Sequence, residues 1–223
     1  MFVRRLGQAM AWGVVGMGAQ AAMAAVPHAE GGDIAGHVVL VPNPGQSVAP
    51  GELVDTVVYF VPKAGIPHVK PGTYNVNSVD MDFRPGAMAV PAGSKITFAN
   101  LDQVLHNVYS STPGSVFDYQ FQKVGDVVER RFTTPGTVLV SCNVHHFMEF
   151  DLLVLPTPYV ASVAADGSFT MHHVPAGAGT LYFWNPRAVL KSQVVAAPAH
   201  DITQRLVAIK PRVTTELHLG EQP

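Results

Sequence analysis

One stretch constrains the fold more than any other part of the chain. Residues 138–148 form an apolar run, Val-Leu-Val-Ser, that leads into the short loop Cys-Asn-Val-His-His-Phe-Met. The run predicts a β-strand in which Val138, Val140 and Cys142 share one face, so the sulfur points toward the side that the valines bury. Cys142 is the only cysteine in the chain.

The loop has the order Cys-x-x-His-x-x-Met and offers a thiol, an imidazole and a thioether from Cys142, His145 and Met148. A thiolate, two imidazoles and a weak axial thioether form the ligand set of an electron-transfer copper site. A second histidine must then come from elsewhere, and His106 is the best candidate. About three predicted strands lie between His106 and Cys142, so only a folded sandwich can bring the two residues together.

Two other interpretations of this pattern stay open. Zinc also accepts two histidines and a cysteine, but methionine would be a poor fourth ligand for it, which favours copper. Cysteine is also often buried and inert, so Cys142 alone would favour a structural residue near unrelated histidines. The joint pattern favours a metal site.

The first residues predict export. Residues 1–25 have the features of a secretory signal peptide: a basic start at Arg4-Arg5, an apolar run, and an Ala-Met-Ala exit site at 22–24. An uncleaved anchor and twin-arginine export are the alternatives. We therefore expect a periplasmic protein without stable membrane insertion after signal cleavage. A lone cysteine in an oxidising compartment needs an explanation, and metal ligation supplies one.

Composition and charge limit the classes of partner that the protein is expected to bind. Of the 14 Lys and Arg residues, two lie in residues 1–25, so the mature chain has 12 against 16 Asp and Glu, a formal net charge of −4. No basic run is present, which disfavours nucleic acid and anionic membranes. The 20 Gly and 18 Pro residues suit a β-rich fold with many turns.

The apolar pattern predicts an all-β protein without long helices. Ile34–Val41 and Val54–Val61 read as strands, residues 63–80 as a polar linker, and residues 81–155 as short alternating strands around the metal loop. Residues 157–219 add a further set of strands with hairpin turns.

Residues 105–108, Leu-His-Asn-Val, and the loop at 141–148 resemble the cupredoxins, most closely the amicyanin and plastocyanin-like group. The resemblance implies a Greek-key β-sandwich with one type 1 copper, His106, Cys142 and His145 as equatorial ligands and Met148 as the axial ligand. It also implies that Asn107 hydrogen-bonds near the ligand loops and that Asn143 caps the loop after the thiolate. His146 departs from the family pattern, which has proline there.

The flanking segments are similar to carboxypeptidase regulatory-like, or transthyretin-like, β-sandwich modules. This weaker resemblance implies a discontinuous domain made of residues 33–62 plus 157–219, with a cupredoxin domain at residues 63–156 inserted into it. One enlarged sandwich with decorations is the competing interpretation.

These features predict a periplasmic electron-transfer protein that docks transiently with a redox partner, a cytochrome or a dehydrogenase or oxidase. Copper capture and delivery, with the extra sandwich docking a client, is the alternative. We expect no enzyme activity, because oxidases and nitrite reductases of this type place histidines beside the cysteine, and Cys142 is flanked by Ser141 and Asn143.

Overall fold

The computed structural model describes residues 31–49, 51–210 and 217–219. The predicted signal peptide at residues 1–25 lies outside them. Apart from one short 3₁₀ helix at Glu52–Asp55, all regular structure in the described part of the chain is β-strand, and the predicted all-β class is confirmed.

The strands are numbered in chain order. Their bounds are β1 Gly32–Pro42, β2 Val57–Pro62, β3 Thr73–Val79, β4 Asp82–Arg84, β5 Ala87–Pro91, β6 Ser94–Asn100, β7 His106–Ser110, β8 Phe117–Gln122, β9 Val127–Phe132, β10 Gly136–Ser141, β11 Glu149–Leu155, β12 Val160–Ser162, β13 Ser168–Val174, β14 Gly177–Trp184, β15 Lys191–Ala197, β16 Ala199–Ala208 and β17 Leu217–Leu219.

These strands form four sheets. Sheet 1 has the order β13-β1-β16, and sheet 2 the order β12-β2-β14-β15. Sheet 3 is the largest, with the order β17-β5-β11-β10-β7-β8, and sheet 4 has the order β4-β3-β6-β9. Sheets 3 and 4 contain all the strands that carry or flank the predicted metal ligands.

Three clusters of buried apolar side chains lie between these sheets and stack them as four layers. The outer core joins sheets 1 and 2 and includes Ile34, Phe60 and Phe183. The inner core joins sheets 3 and 4 and is built from side chains such as Phe98 and Phe150. A middle core joins sheets 2 and 3, with residues Val57, Tyr59, Ala87, Ala89, Leu153, Leu155 and Trp184.

The middle core explains why β2 and β11 are apolar on both faces. In β2, Val58 and Phe60 point into the outer core, while Val57 and Tyr59 point into the middle core. Successive strand residues alternate between faces, so a strand covered on both sides needs a continuous apolar run. The ring of Tyr59 stacks on that of Tyr182 with centroids 4.8 Å apart, which adds to this layer.

The predicted linker at residues 63–80 is wrong in its second half. Thr73–Val79 is a strand of sheet 4 that runs parallel to Ser94–Asn100. Only Val76 is a buried aliphatic residue there, because polar residues fill most other positions of the strand and hide its period of two. The predicted strand at Val54–Val61 also begins later, at Val57, after the 3₁₀ helix.

The outer core takes its strands from both flanking segments, before and after the part of the chain that forms sheets 3 and 4. This arrangement agrees with an insertion. The division into two domains stays a prediction, because the middle core joins the two sets of sheets.

Candidate metal centre

The loop between β10 and β11 is a closed hairpin. The last pair of the ladder is Ser141 with Glu149, and the next residues are Cys142 and Met148. The Cys142 amide donates to the Met148 carbonyl at 3.3 Å, and the Met148 amide donates to the carbonyl of His145 at 2.9 Å. Backbone hydrogen bonds therefore set the spacing of these three residues.

His106, Cys142 and His145 come together at one end of the inner core. Their potential ligand atoms all lie within 4.8 Å of one another. The Nδ1 atom of His106 lies 3.2 Å from Nδ1 of His145 and 3.9 Å from Sγ of Cys142. Ligand atoms bound at about 2.0–2.3 Å to one ion have separations of this size. The donor set therefore fits one thiophilic metal ion.

The candidate ligands differ in how deeply they are buried. His106 and Cys142 are buried, whereas His145 is partly exposed. Met148 is fully buried at the base of the loop and belongs to the inner core. The site thus has a dry interior side and one imidazole that reaches the surface. In the described part of the chain, no other group of three or more His, Cys, Asp or Glu side chains is placed to hold a metal.

Asp102 holds the outer nitrogen of His106. The Nε2 atom of His106 lies 2.7 Å from Oδ2 of Asp102, and the same carboxylate accepts hydrogen bonds from the amides of Asp80 and Met81. Burial raises the pKa of the Asp102 carboxyl, but the hydrogen bonds from Met81, His106 and Asp80 together bring it below its usual value. A carboxylate here keeps the proton on Nε2 and leaves the Nδ1 lone pair for a metal.

The turn that supplies those two amides has an unusual backbone. Asp80 and Met81 both have positive φ, at 55° and 58°. This turn joins β3 to β4, so the misassigned strand β3 contributes to the support of His106. Sequence reasoning missed Asp102. Its only signal was a carboxylate four residues before the histidine at the start of the same loop.

Asn107 lies between the ligand loop and β8. Its backbone amide donates to Cys142 Sγ at 3.4 Å, and its Oδ1 accepts from the backbone amide of Asn143 at 3.2 Å. Its Nδ2 donates to Asp118 and to the carbonyl of Gln120. The bond to the loop uses the backbone of Asn143, whose exposed side chain has no part in it.

Exposed apolar side chains lie on the loops that carry the histidines. Leu101, Val104 and Leu105 precede His106, and Val144 and Phe147 flank His145. Phe147 is 67% exposed, and its ring centroid is 6.1 Å from that of His145. His146 is also exposed. We call the five apolar residues, Leu101, Val104, Leu105, Val144 and Phe147, the apolar rim.

No helix in the described residues has the length and apolar character needed to cross a membrane.

Comparison with known proteins connects this geometry to a family. The family model of copper binding proteins, plastocyanin/azurin family, matches residues 71–154. Among solved structures, the chain is similar to a purple cupredoxin from Nitrosopumilus maritimus, with 22% identity over 37% of this chain and 99% of that chain and a TM-score of 0.33. It is also similar to an amicyanin mutant in the Cu(I) form, with 22% identity over 44% of this chain and 92% of that chain and a TM-score of 0.36. No curated protein matches the chain.

Proposed function

We propose that the chain, whose residues 71–154 match the family model of copper binding proteins of the plastocyanin/azurin family, is a periplasmic electron-transfer protein with one mononuclear type 1 copper that cycles between Cu(II) and Cu(I). The observation that carries the proposal is the convergence of two imidazole nitrogens and one buried thiol within 4.8 Å. The periplasmic location rests on the predicted signal peptide.

The ligand set in this proposal is His106, Cys142 and His145, with Met148 as a weak axial ligand. Bound copper would supply the one-electron couple, since a mixed set of sulfur and nitrogen ligands serves both oxidation states. The role of the protein is to hold these ligands in fixed positions. The backbone bonds of the loop fix Cys142 and Met148, and Asp102 fixes His106.

Electrons would enter and leave through His145, the only partly exposed histidine of the three. The apolar rim, on the loops that carry His106 and His145, would exclude water and suit a small, short-lived contact with a redox partner protein. A cytochrome or a dehydrogenase or oxidase fits this description. The absence of histidines beside Cys142 supports a carrier without enzyme activity.

The outer sandwich, residues 33–62 plus 157–219, is proposed as a second domain of the carboxypeptidase regulatory-like type. Its separate outer core supports this division. Copper delivery to a client docked on this sandwich remains the alternative function, and the exposed His146 beside the site would then assist transfer.

The test is copper titration of the purified mature protein, followed by visible absorption and electron paramagnetic resonance. We expect one copper per chain, an intense thiolate-to-copper band and the spectrum of a single type 1 centre. Replacing Cys142 by Ser or His106 by Ala should abolish the band, whereas replacing His200 by Ala in the outer sandwich should not. A colourless one-to-one complex would contradict the proposal.

Exchange kinetics separate the two functions. A carrier should lose copper slowly to a chelator while it exchanges electrons rapidly and reversibly with a small redox reagent. Rapid loss of copper to the chelator, slowed by replacing His146 with Ala, would favour delivery instead.

A further inference from the structure

Gln122, the last residue of β8, is buried with an amide that has no protein partner. Its side chain is 2% exposed, and neither Nε2 nor Oε1 forms a hydrogen bond within the part of the chain that the structure describes. An unpaired buried polar group costs folding free energy, and natural proteins keep few of them. A buried amide of this kind needs a reason.

The strand register places Gln122 beside the metal centre. Gln122 pairs with His106 in the antiparallel ladder of β7 and β8. Opposed residues in such a pair project to the same side of the sheet, with Cβ atoms about 4.5–5.5 Å apart. The amide therefore lies on the side of the sheet to which the imidazole of His106 points.

The backbone of Gln122 is fixed to the residues that support His106. Asn100 donates from Nδ2 to the Gln122 carbonyl at 3.0 Å and to that of Val104 at 2.9 Å. Its Oδ1 accepts from the amide of Asp102 at 3.0 Å. The position of Gln122 is thus set by the same network, while its amide group keeps both polar ends unengaged.

We propose that Gln122 adjusts the preference of the site for Cu(II) over Cu(I), an inference that rests on the proposed function. The oxidised site carries one more positive charge than the reduced site. Because no protein group holds either end of the amide, its dipole can turn the oxygen toward the more positive state. A dipole acts strongly in a buried environment, so the amide favours Cu(II).

The test compares Gln122→Leu with wild type in two measurements. In the variant, the preference of the site for Cu(I) over Cu(II) should increase by at least about threefold relative to wild type. At 59 mV per tenfold for one electron, this corresponds to a reduction potential about 28 mV more positive. The metal-free variant should also melt higher by about 2 °C or more, since an uncompensated polar group has been replaced by an apolar one.

Gln103→Leu is the matched control, because Gln103 is an exposed glutamine in the loop before His106. It should leave both quantities unchanged, since water screens its dipole. An unchanged potential in Gln122→Leu would overturn the proposal. A lower melting temperature of the metal-free variant would also overturn it, because the amide would then have a partner in solution.

The outcomes also separate this inference from the proposed function. A wild-type protein without a thiolate-to-copper band would contradict the proposed function and this inference with it. A wild-type protein with the band, and a variant with an unchanged potential, would contradict only the role of Gln122.

Discussion

The Nε2 atom of His106 lies 2.7 Å from Oδ2 of Asp102, so a predicted metal ligand is held from behind by a carboxylate. That carboxylate is itself fixed by two backbone amides of the turn at Asp80 and Met81. Orientation of a ligand by a second residue of this type is typical of metal sites in proteins. Here it sets the tautomer and the ring position of His106 before any metal binds.

Replacing Asp102 by Ala should weaken copper binding by about 10–100-fold, the usual effect of losing such a partner. Asp102→Asn should fall between this variant and wild type, because the amide keeps an acceptor oxygen without the charge. Competition with a chelator of known affinity measures the change. Asp166→Ala is the control, since Asp166 accepts turn hydrogen bonds from Ser168 in the outer sandwich. Equal affinities in all four proteins would refute the role of Asp102.

Substitutions at Asn107 and Asn143 should differ sharply in their effect on stability, although the two residues share a hydrogen bond. Asn107→Ala removes the acceptor for the loop amide and two further hydrogen bonds, so we expect a loss of about 1–3 kcal/mol in the free energy of unfolding. Asn143→Ala keeps its backbone amide and should change stability by less than about 0.5 kcal/mol. Urea unfolding of the metal-free variants measures both. Similar losses in the two variants would show that the Asn143 side chain contributes.

The ion pair between Arg187 and Glu52 is buried, with side chains 8% exposed on both partners. Arg187 also donates to the carbonyls of Ser47 and Lys210. Arg187→Met should cost about 3–5 kcal/mol of unfolding free energy, because the Glu52 carboxylate stays buried without this cation. Arg205→Met, at an exposed position of β16, should stay within about 0.5 kcal/mol. Denaturant unfolding followed by intrinsic fluorescence compares the unfolding free energies of the two variants. A smaller loss in Arg187→Met than in Arg205→Met would contradict the expectation.

The Asp151 carboxyl should make the stability of the protein depend on pH in the opposite direction to that of a usual paired carboxylate. Burial raises the pKa of its carboxyl above the ordinary value, although Lys210 lies 2.6 Å away. The folded state then binds the proton more tightly than the unfolded state, so this group's contribution to stability falls as pH rises through the raised pKa. The stability of wild type relative to Asp151→Asn should therefore be higher near about pH 4 than near about pH 7. Unfolding of the metal-free proteins at the two pH values tests the sign, and a relative stability that rises with pH would contradict it.

The candidate site was predictable because three of the predicted ligands lie in one loop at tight spacing. Cys142, His145 and Met148 need only local geometry, and strand parity already aims the sulfur inward. His106 is distant in sequence, but the chemistry of the donor set requires a second imidazole, and the structure brings His106 to Cys142 and His145. The all-β class followed in the same way from short alternating runs.

The supporting residues were not predictable, because their roles depend on register and on turns. Asp102 and Gln122 look like ordinary loop and strand residues until the pairing of β7 with β8 and the turn after β3 are known. The polar residues of β3 obscure its alternation, so the sequence of this strand resembles that of a linker. Asp151 is a charged residue that is buried beside the middle core, and no pattern within one strand reveals that burial.

The middle core has a consequence for the chain as a whole. It joins β2 and β14 on one side to β5 and β11 on the other, so neither sandwich can open without exposing apolar surface on its neighbour. A ligand that binds only the folded state stabilises every part that unfolds together with its site. Copper held by His106 and the loop at residues 142–148 would therefore raise the melting temperature of strands in the outer sandwich that contribute no ligand to it.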